Sequence, residues 1–173
     1  MSMLCFLQIL SPKQIEAVRG DEDLTQTITE AGYDEDSQPI ADEPLAKWLE
    51  LDHSWDIMRQ LLLKFSVDDT EDWADILGGE TIGDDVGYGE ASLRDPAETE
   101  QFNRVLQSVD LDRLLSALNY REFLEMKLYG FPDGSEPDAV EEIREEMGTY
   151  YPALRDYVAK AAAAKHGLLI WLA

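Results

Sequence analysis

Two stretches of this 173-residue chain combine residue types that can do chemistry. The first is Gly78-Gly79-Glu80-Thr81-Ile82-Gly83-Asp84-Asp85-Val86-Gly87-Tyr88-Gly89, in which Asp84 and Asp85 stand side by side among five glycines. Adjacent carboxylates on so permissive a backbone, with Glu80 and Tyr88 alongside, can offer oxygen ligands to a divalent cation. They can equally cap turns by accepting backbone N–H bonds. The alternating acidic positions and closing glutamate of an EF-hand are absent, as are the Lys-Ser/Thr of a P-loop and the spacing of a dinucleotide fingerprint. The second stretch is Asp52-His53-Ser54-Trp55-Asp56, close to Trp48. A histidine with a carboxylate partner is an acid–base pair; the competing reading is a helix start whose polar groups face solvent.

The rest of the inventory is thin. Two histidines and one cysteine exclude a zinc site of the usual kind and an internal disulfide. Cys5 lies in an apolar strand, where thiols are inert. His166 reads as a residue at a helix C-terminus, well placed against the dipole. No G-x-S-x-G elbow is present. No catalytic motif is complete, and nothing calls for a cofactor.

Charge is the outlier. Fourteen basic against thirty-seven acidic residues leave a formal net charge of -23. Such a surface repels nucleic-acid phosphates and anionic lipid, and it draws in basic partners. Solubility, or adaptation to a salty cytoplasm, is the plainer account of the same acidity. If Trp48, Trp55 or Tyr88 is exposed beside the carboxylates, the aromatic and acidic patch suits an arginine-rich protein surface.

The elements that must position these residues follow from caps and periodicity. Met3 to Leu10 reads as a buried strand. Ser11-Pro12-Lys13-Gln14 is a capping box with proline at the first helical position, over Ile15 and Val18. Residues 21–44 are acidic and irregular, with Gly32, Asp34-Glu35-Asp36 and two prolines, and Leu24 and Ile28 suggest one amphipathic turn. Ser54 can cap a helix carrying Trp55, Met58, Leu62 and Phe65. Val67 to Asp75 reads as exposed apart from Trp73. The glycine stretch reads as a loop with at most a short strand, since each glycine inside a helix costs about 1 kcal/mol. Asp95-Pro96-Ala97-Glu98 starts a helix over Phe102, Val105, Leu106 and Val109, and Asp110 restarts one over Leu111, Leu114 and Leu118. Pro137 opens a charged helix that Pro152 interrupts or restarts, with Gly167 at its C′ position. Leu168 to Leu172 is a continuous apolar run, the pattern of a strand covered on both faces.

Strands at both ends with helices between them predict an α/β fold in which the N- and C-terminal strands share one sheet. One domain over residues 1–173 is expected. No apolar run approaches the roughly 18 residues of a membrane span, and a cytoplasmic location is expected.

The order of these features resembles the YfbM-like family of small bacterial domains of unassigned function. The resemblance rests on Met1-Ser2-Met3 before the first strand, on Leu51-Asp52-His53-Ser54-Trp55-Asp56, on Ile76 to Gly89, and on the closing Gly167-Leu168-Leu169-Ile170-Trp171-Leu172. It implies a layered α/β/α sandwich and no particular chemistry. The family usually carries a histidine where Arg59 stands and a glycine near Lys64, so any role of that histidine is absent here.

The leading functional expectation is an acidic, non-catalytic domain that binds a basic protein, as an inhibitor or immunity-type regulator. Its candidate contact residues are Trp48, Asp52, His53, Trp55, Asp56, Glu80, Asp84, Asp85 and Tyr88. The alternative is a small enzyme or ligand-binding domain with a pocket at the Gly78–Gly89 stretch.

Overall fold

A computed structural model describes residues 3–30, 39–66 and 71–173. The acidic run Asp34-Glu35-Asp36 with Gly32, the start Met1-Ser2 and the segment 67–70 lie outside the described residues. Strand β1 (Cys5–Leu10) pairs with β5 (Gly167–Leu172) at the centre of a five-stranded antiparallel sheet. The strand order is β2-β1-β5-β4-β3, with β2 (Leu49–Glu50), β3 (Glu80–Asp85) and β4 (Glu90–Arg94) completing it. The two ends of the chain thus build the middle of one sheet, as the terminal apolar runs predict.

Alternation along the two central strands divides the interior. Leu7 faces Ile170 across the ladder, and Phe6 faces Trp171. Cys5, Leu7, Ile9, Leu168 and Ile170 belong to one core, and Leu10, Leu169 and Trp171 to the other. The first core is closed by α3 (Trp55–Leu63), α5 (Pro96–Ser108), α6 (Leu111–Ser116), α7 (Tyr120–Met126) and α8 (Glu136–Ala163). The second is closed by α1 (Pro12–Gly20) and α2 (Asp23–Glu30), through Ile15, Val18 and Ile28. This is the α/β/α sandwich. A strand with helices on both faces has no polar side, which is why β5 reads as five buried residues out of six.

The caps form as the sequence dictates. Ser11 and Gln14 make a reciprocal capping box on α1, Asp95 and Glu98 make one on α5, and Asp110 caps α6. Leu24 and Ile28 lie on a full eight-residue helix rather than a single turn. α4 (Glu71–Ala74) then precedes Asp75.

Four expectations are corrected. Ser54 does not cap α3: it ends a short 3-10 turn (Asp52–Ser54) and spends its hydroxyl on Leu51 O at 2.8 Å. Asp75 is not exposed, because it forms a bidentate pair with Arg59 at 2.5 and 2.7 Å. Pro152 neither breaks nor restarts α8, which runs 28 residues through it. The bond lost is the one that would reach Gly148, while Met147, Tyr151 and Leu154 stay fully buried around the site. Gly167 is not a helix cap but the first residue of β5; Lys165, at φ 57, takes the left-handed position. Gly167 is required for another reason, since a Cβ there would run into Arg94 O and Ile15.

The glycine stretch is mostly an edge hairpin. β3 pairs with β4 through Ile82 and Ala91, with an irregularity between Ile82 and Asp85. Gly83 sits in that irregularity at φ +73, and a Cβ there would lie 2.9 Å from Thr25 Cβ of α2. Glycine here lets a helix lie directly over the strand.

Candidate functional site

Four of the nine candidate residues meet at one place, where α3 begins, and three further residues join them. Asp52 adopts a left-handed backbone at φ 50, a conformation in which aspartate is tolerated because its side chain bonds locally. Its Oδ1 accepts the His53 amide at 2.8 Å and lies 3.1 Å from His53 Nε2. Its Oδ2 accepts the Tyr150 hydroxyl at 3.0 Å. Asp56 Oδ2 accepts the Tyr129 amide at 2.9 Å, and Trp55 Nε1 donates to Met3 O at 3.1 Å. The Tyr129 ring stands edge-on to His53 at 5.9 Å and stacks beside Trp55 at 6.3 Å. Gly130, at φ +68, brings the 128–131 loop so close that a Cβ would sit 2.6 Å from His53 O.

Glu146, one turn before Tyr150 on α8, completes the cluster. Its Oε2 is buried with no hydrogen-bond partner among the described residues. Burial, then the charges of Glu142 and Asp52, push its carboxyl above the ordinary value, with His53 opposing them. Burial, the Asp52 hydrogen bond and the charges of Asp52, Glu146 and Glu50 likewise push the Tyr150 hydroxyl up. The side chains of His53 and Asp52 remain 41% and 38% exposed. This is a carboxylate-rich surface with one imidazole. Its chemistry is to hold cationic hydrogen-bond donors, or to pass a proton between His53 and Asp52.

The other candidates lie elsewhere. Glu80 accepts from Arg19 Nε and Nη2 at 3.0 and 2.7 Å on the surface. Asp85 Oδ1 accepts the amides of Gly87 and Gly89 at 2.9 and 3.1 Å, and these bonds hold its carboxyl below the ordinary value. Asp84 is exposed, and so is Tyr88, whose amide donates to Leu172 O at 3.3 Å. Among the described residues, no group of three or more His, Cys, Asp or Glu is arranged to hold a metal ion. Trp48 is on the opposite face of the sheet, with Phe6 at 5.3 Å and Trp171 at 5.7 Å.

Two cavities complete the picture. One of about 230 Å³ is lined by Trp73, Gly78, Gly79, Arg94 and Glu98, so it touches only the first two glycines of the glycine stretch. Arg94 lies over the Phe102 ring at 4.6 Å and donates to Asp75 O, while Glu98 Oε2 accepts the Asp95 amide at 2.9 Å. The other, about 350 Å³, lies where β1 runs into α1; Glu43 and His166 are its titratable walls. His166 closes the end of α8, its amide donating to Ala161 O at 3.0 Å, and also forms a wall of this cavity.

Spacing does not pick out Tyr129 and Tyr150, whose partners are 73 and 98 residues away, or Glu146, which reaches the cluster only through the packing of α8. The one local signal was that Glu146 and Tyr150 stand four apart on a charged helix. Glu43 left no signal beyond one carboxylate in an acidic run.

Residues 1–171 match the family model described as a domain of unknown function, DUF1877. No curated protein matches the chain. Among solved structures, the fold is similar to that of YfbM from Escherichia coli, itself described as a protein of unknown function. The TM-score is 0.64 at 17% identity, covering 98% of this chain and 99% of that one. At that identity the likeness is one of fold.

Proposed function

The chain belongs to the DUF1877 family of domains of unknown function, and from that premise we propose that it is an acidic, non-catalytic binding domain for a basic protein, acting as an inhibitor or immunity-type regulator. The observation that carries this reading is the crowding of carboxylates on this surface: Asp52 accepts the Tyr150 hydroxyl, Glu50 and Glu146 lie near the same hydroxyl, and Glu142 and Asp52 lie near the Glu146 carboxyl. Like charges held together weaken the isolated fold. A lysine or arginine delivered by a partner relieves that repulsion and finds charge-assisted acceptors in place. His53 and Tyr129 supply rings beside the carboxylates, on which a guanidinium can stack. The net charge of -23 adds long-range steering toward a basic surface and away from phosphate. On the hairpin, Asp84 is exposed and available for contact, whereas Glu80 and Asp85 are already engaged.

The test is affinity capture from the source lysate at low and moderate salt, comparing the native chain with E142K/E146K. The expected result is a basic protein held by the native chain, released by moderate salt and lost with the double reversal. Equal capture by both, or none by either, sinks the reading.

The cavity at Gly78 and Gly79 favours a second reading, a ligand-binding domain. A thermal-shift screen across nucleotides, sugars and divalent ions tests it, because a ligand at a hundred times its dissociation constant stabilises a fold by about 2.7 kcal/mol.

A further inference from the structure

We propose that the 350 Å³ cavity between β1, α1 and the segment 43–46 is a binding site for a small organic ammonium ion, with Glu43 and His166 as its polar recognition groups. The volume is that of a small ligand pocket, and the arrangement of an apolar floor with few convergent polar groups is what such pockets have. The floor is Ile9, Pro44 and Ala46.

The walls are built in advance. Glu43 is delivered by a tight turn in which Ile40 and Glu43 exchange both backbone bonds at 3.0 Å. The two central residues, Ala41 and Asp42, stand at φ 53 and 61, a strained conformation for residues with a Cβ. Gln14 Nε2 donates to Glu43 O and Pro44 O at 3.1 and 3.3 Å, and Gln8 Nε2 donates to Ala46 O at 2.7 Å. Both glutamines are almost wholly buried, at 3% and 2% exposure. Their hydrogen bonds are thus spent on fixing the wall, and the Ser11 hydroxyl, donated to Glu43 Oε2, fixes the carboxylate.

What remains facing the cavity is a carboxylate and an imidazole. The Ser11 bond and the neighbouring Lys13 hold Glu43 below its ordinary carboxyl value, so it is anionic at neutral pH. An anion finds no welcome there, whereas an ammonium group can donate to Glu43 beside the His166 imidazole while a short alkyl body covers the floor. The chain itself supplies the precedent: the exposed Lys13 ammonium stands 3.6 Å from Glu43 Oε1 at the rim. It is a weak competitor, as surface pairs are.

The experiment uses n-butylammonium as probe, with butyrate and butanol as controls, and reads the imidazole signals by NMR. The chain has only two histidines, so the signals of the cavity and of the α3 cluster are read separately. The expected result is a saturable shift of the His166 signals with n-butylammonium alone. Affinity should fall at least tenfold in E43Q, whose amide oxygen can still accept from Ser11, and rise in K13Q. A His166 shift that fails to saturate would mean general attraction of cations to an acidic surface and would overturn the site. So would unchanged affinity in a folded E43Q, or a response to butanol equal to that for the amine. If E43Q fails to melt cooperatively, K13Q and A46L decide: tighter binding in the first and loss in the second support the site, and no change in either refutes it.

Discussion

Tyr150, in the middle of α8, donates its hydroxyl to Asp52 Oδ2 at 3.0 Å, joining residues 98 positions apart in the chain. That bond ties the longest helix to the one backbone position, φ 50 at Asp52, on which the geometry of His53 depends. Y150F keeps the ring and deletes the bond. Because the acceptor is charged but partly exposed, the loss is about 1 kcal/mol. Urea denaturation of the two proteins measures it. A variant as stable as the native chain would show that Asp52 is held by its local bonds alone.

Glu146 gives the cluster a pH signature. Its folded value is raised from the ordinary 4.5, so the native state binds its proton more tightly than the unfolded chain does. Its contribution is fully present below the unfolded value and is lost as pH rises through the folded one. E146Q removes the like charge, so the variant should melt higher than the native chain at neutral pH. The advantage should vanish on acidification through the carboxyl range. A constant difference at every pH would assign the effect to shape rather than to charge.

Arg59 and Asp75 have the opposite sign. Burial alone would raise Asp75, but the Arg59 hydrogen bonds and charge outweigh it and hold the carboxyl below 3.8. Stability from this pair is therefore present above the unfolded value and lost as pH falls through the folded one. R59M strands a half-buried carboxylate and should cost about 2 to 3 kcal/mol at neutral pH, and R59M/D75N should recover part of it. Denaturant midpoints of the single and double variants decide. No recovery in the double variant would show that Arg59 acts through packing.

How much of this was legible depended on the range of the interaction. Ser11 with Gln14, and Asp95 with Glu98, announce their helices because a capping box closes within four residues. The terminal strands announce themselves by apolar runs. The glycine stretch misleads, because its Gly83 is set by the approach of Thr25, a contact across the fold that no local rule contains. Pro152 misleads for a related reason: the burial of Tyr151, whose hydroxyl donates to Val109 O at 2.7 Å, outweighs the missing helix bond. The candidate site was half legible. Asp52, His53, Trp55 and Asp56 are neighbours in sequence, whereas Tyr129, Glu146 and Tyr150 reach them only through tertiary packing.

The central strand carries the most severe prediction. In β5, Ile170 pairs with Leu7 on one side and Ser92 on the other, and Trp171 is 2% exposed between Phe6 and Trp48. Deleting Ile170 to Ala173 removes the β5 partners of Cys5, Phe6 and Leu7 in β1 and of Ser92 in β4, and opens both cores at once. The truncated chain should show no cooperative thermal transition. A milder probe separates the ladder from the packing: W171A leaves the backbone bonds in place but removes a buried indole, at a cost of about 3 to 5 kcal/mol. W171F should cost less, since a ring still meets Phe6. If the deletion melts like the full chain, β5 is not the centre of the sheet. If W171A is neutral, the core on the α1 and α2 face contributes little, and the stability of the sandwich rests on the helices of the other face.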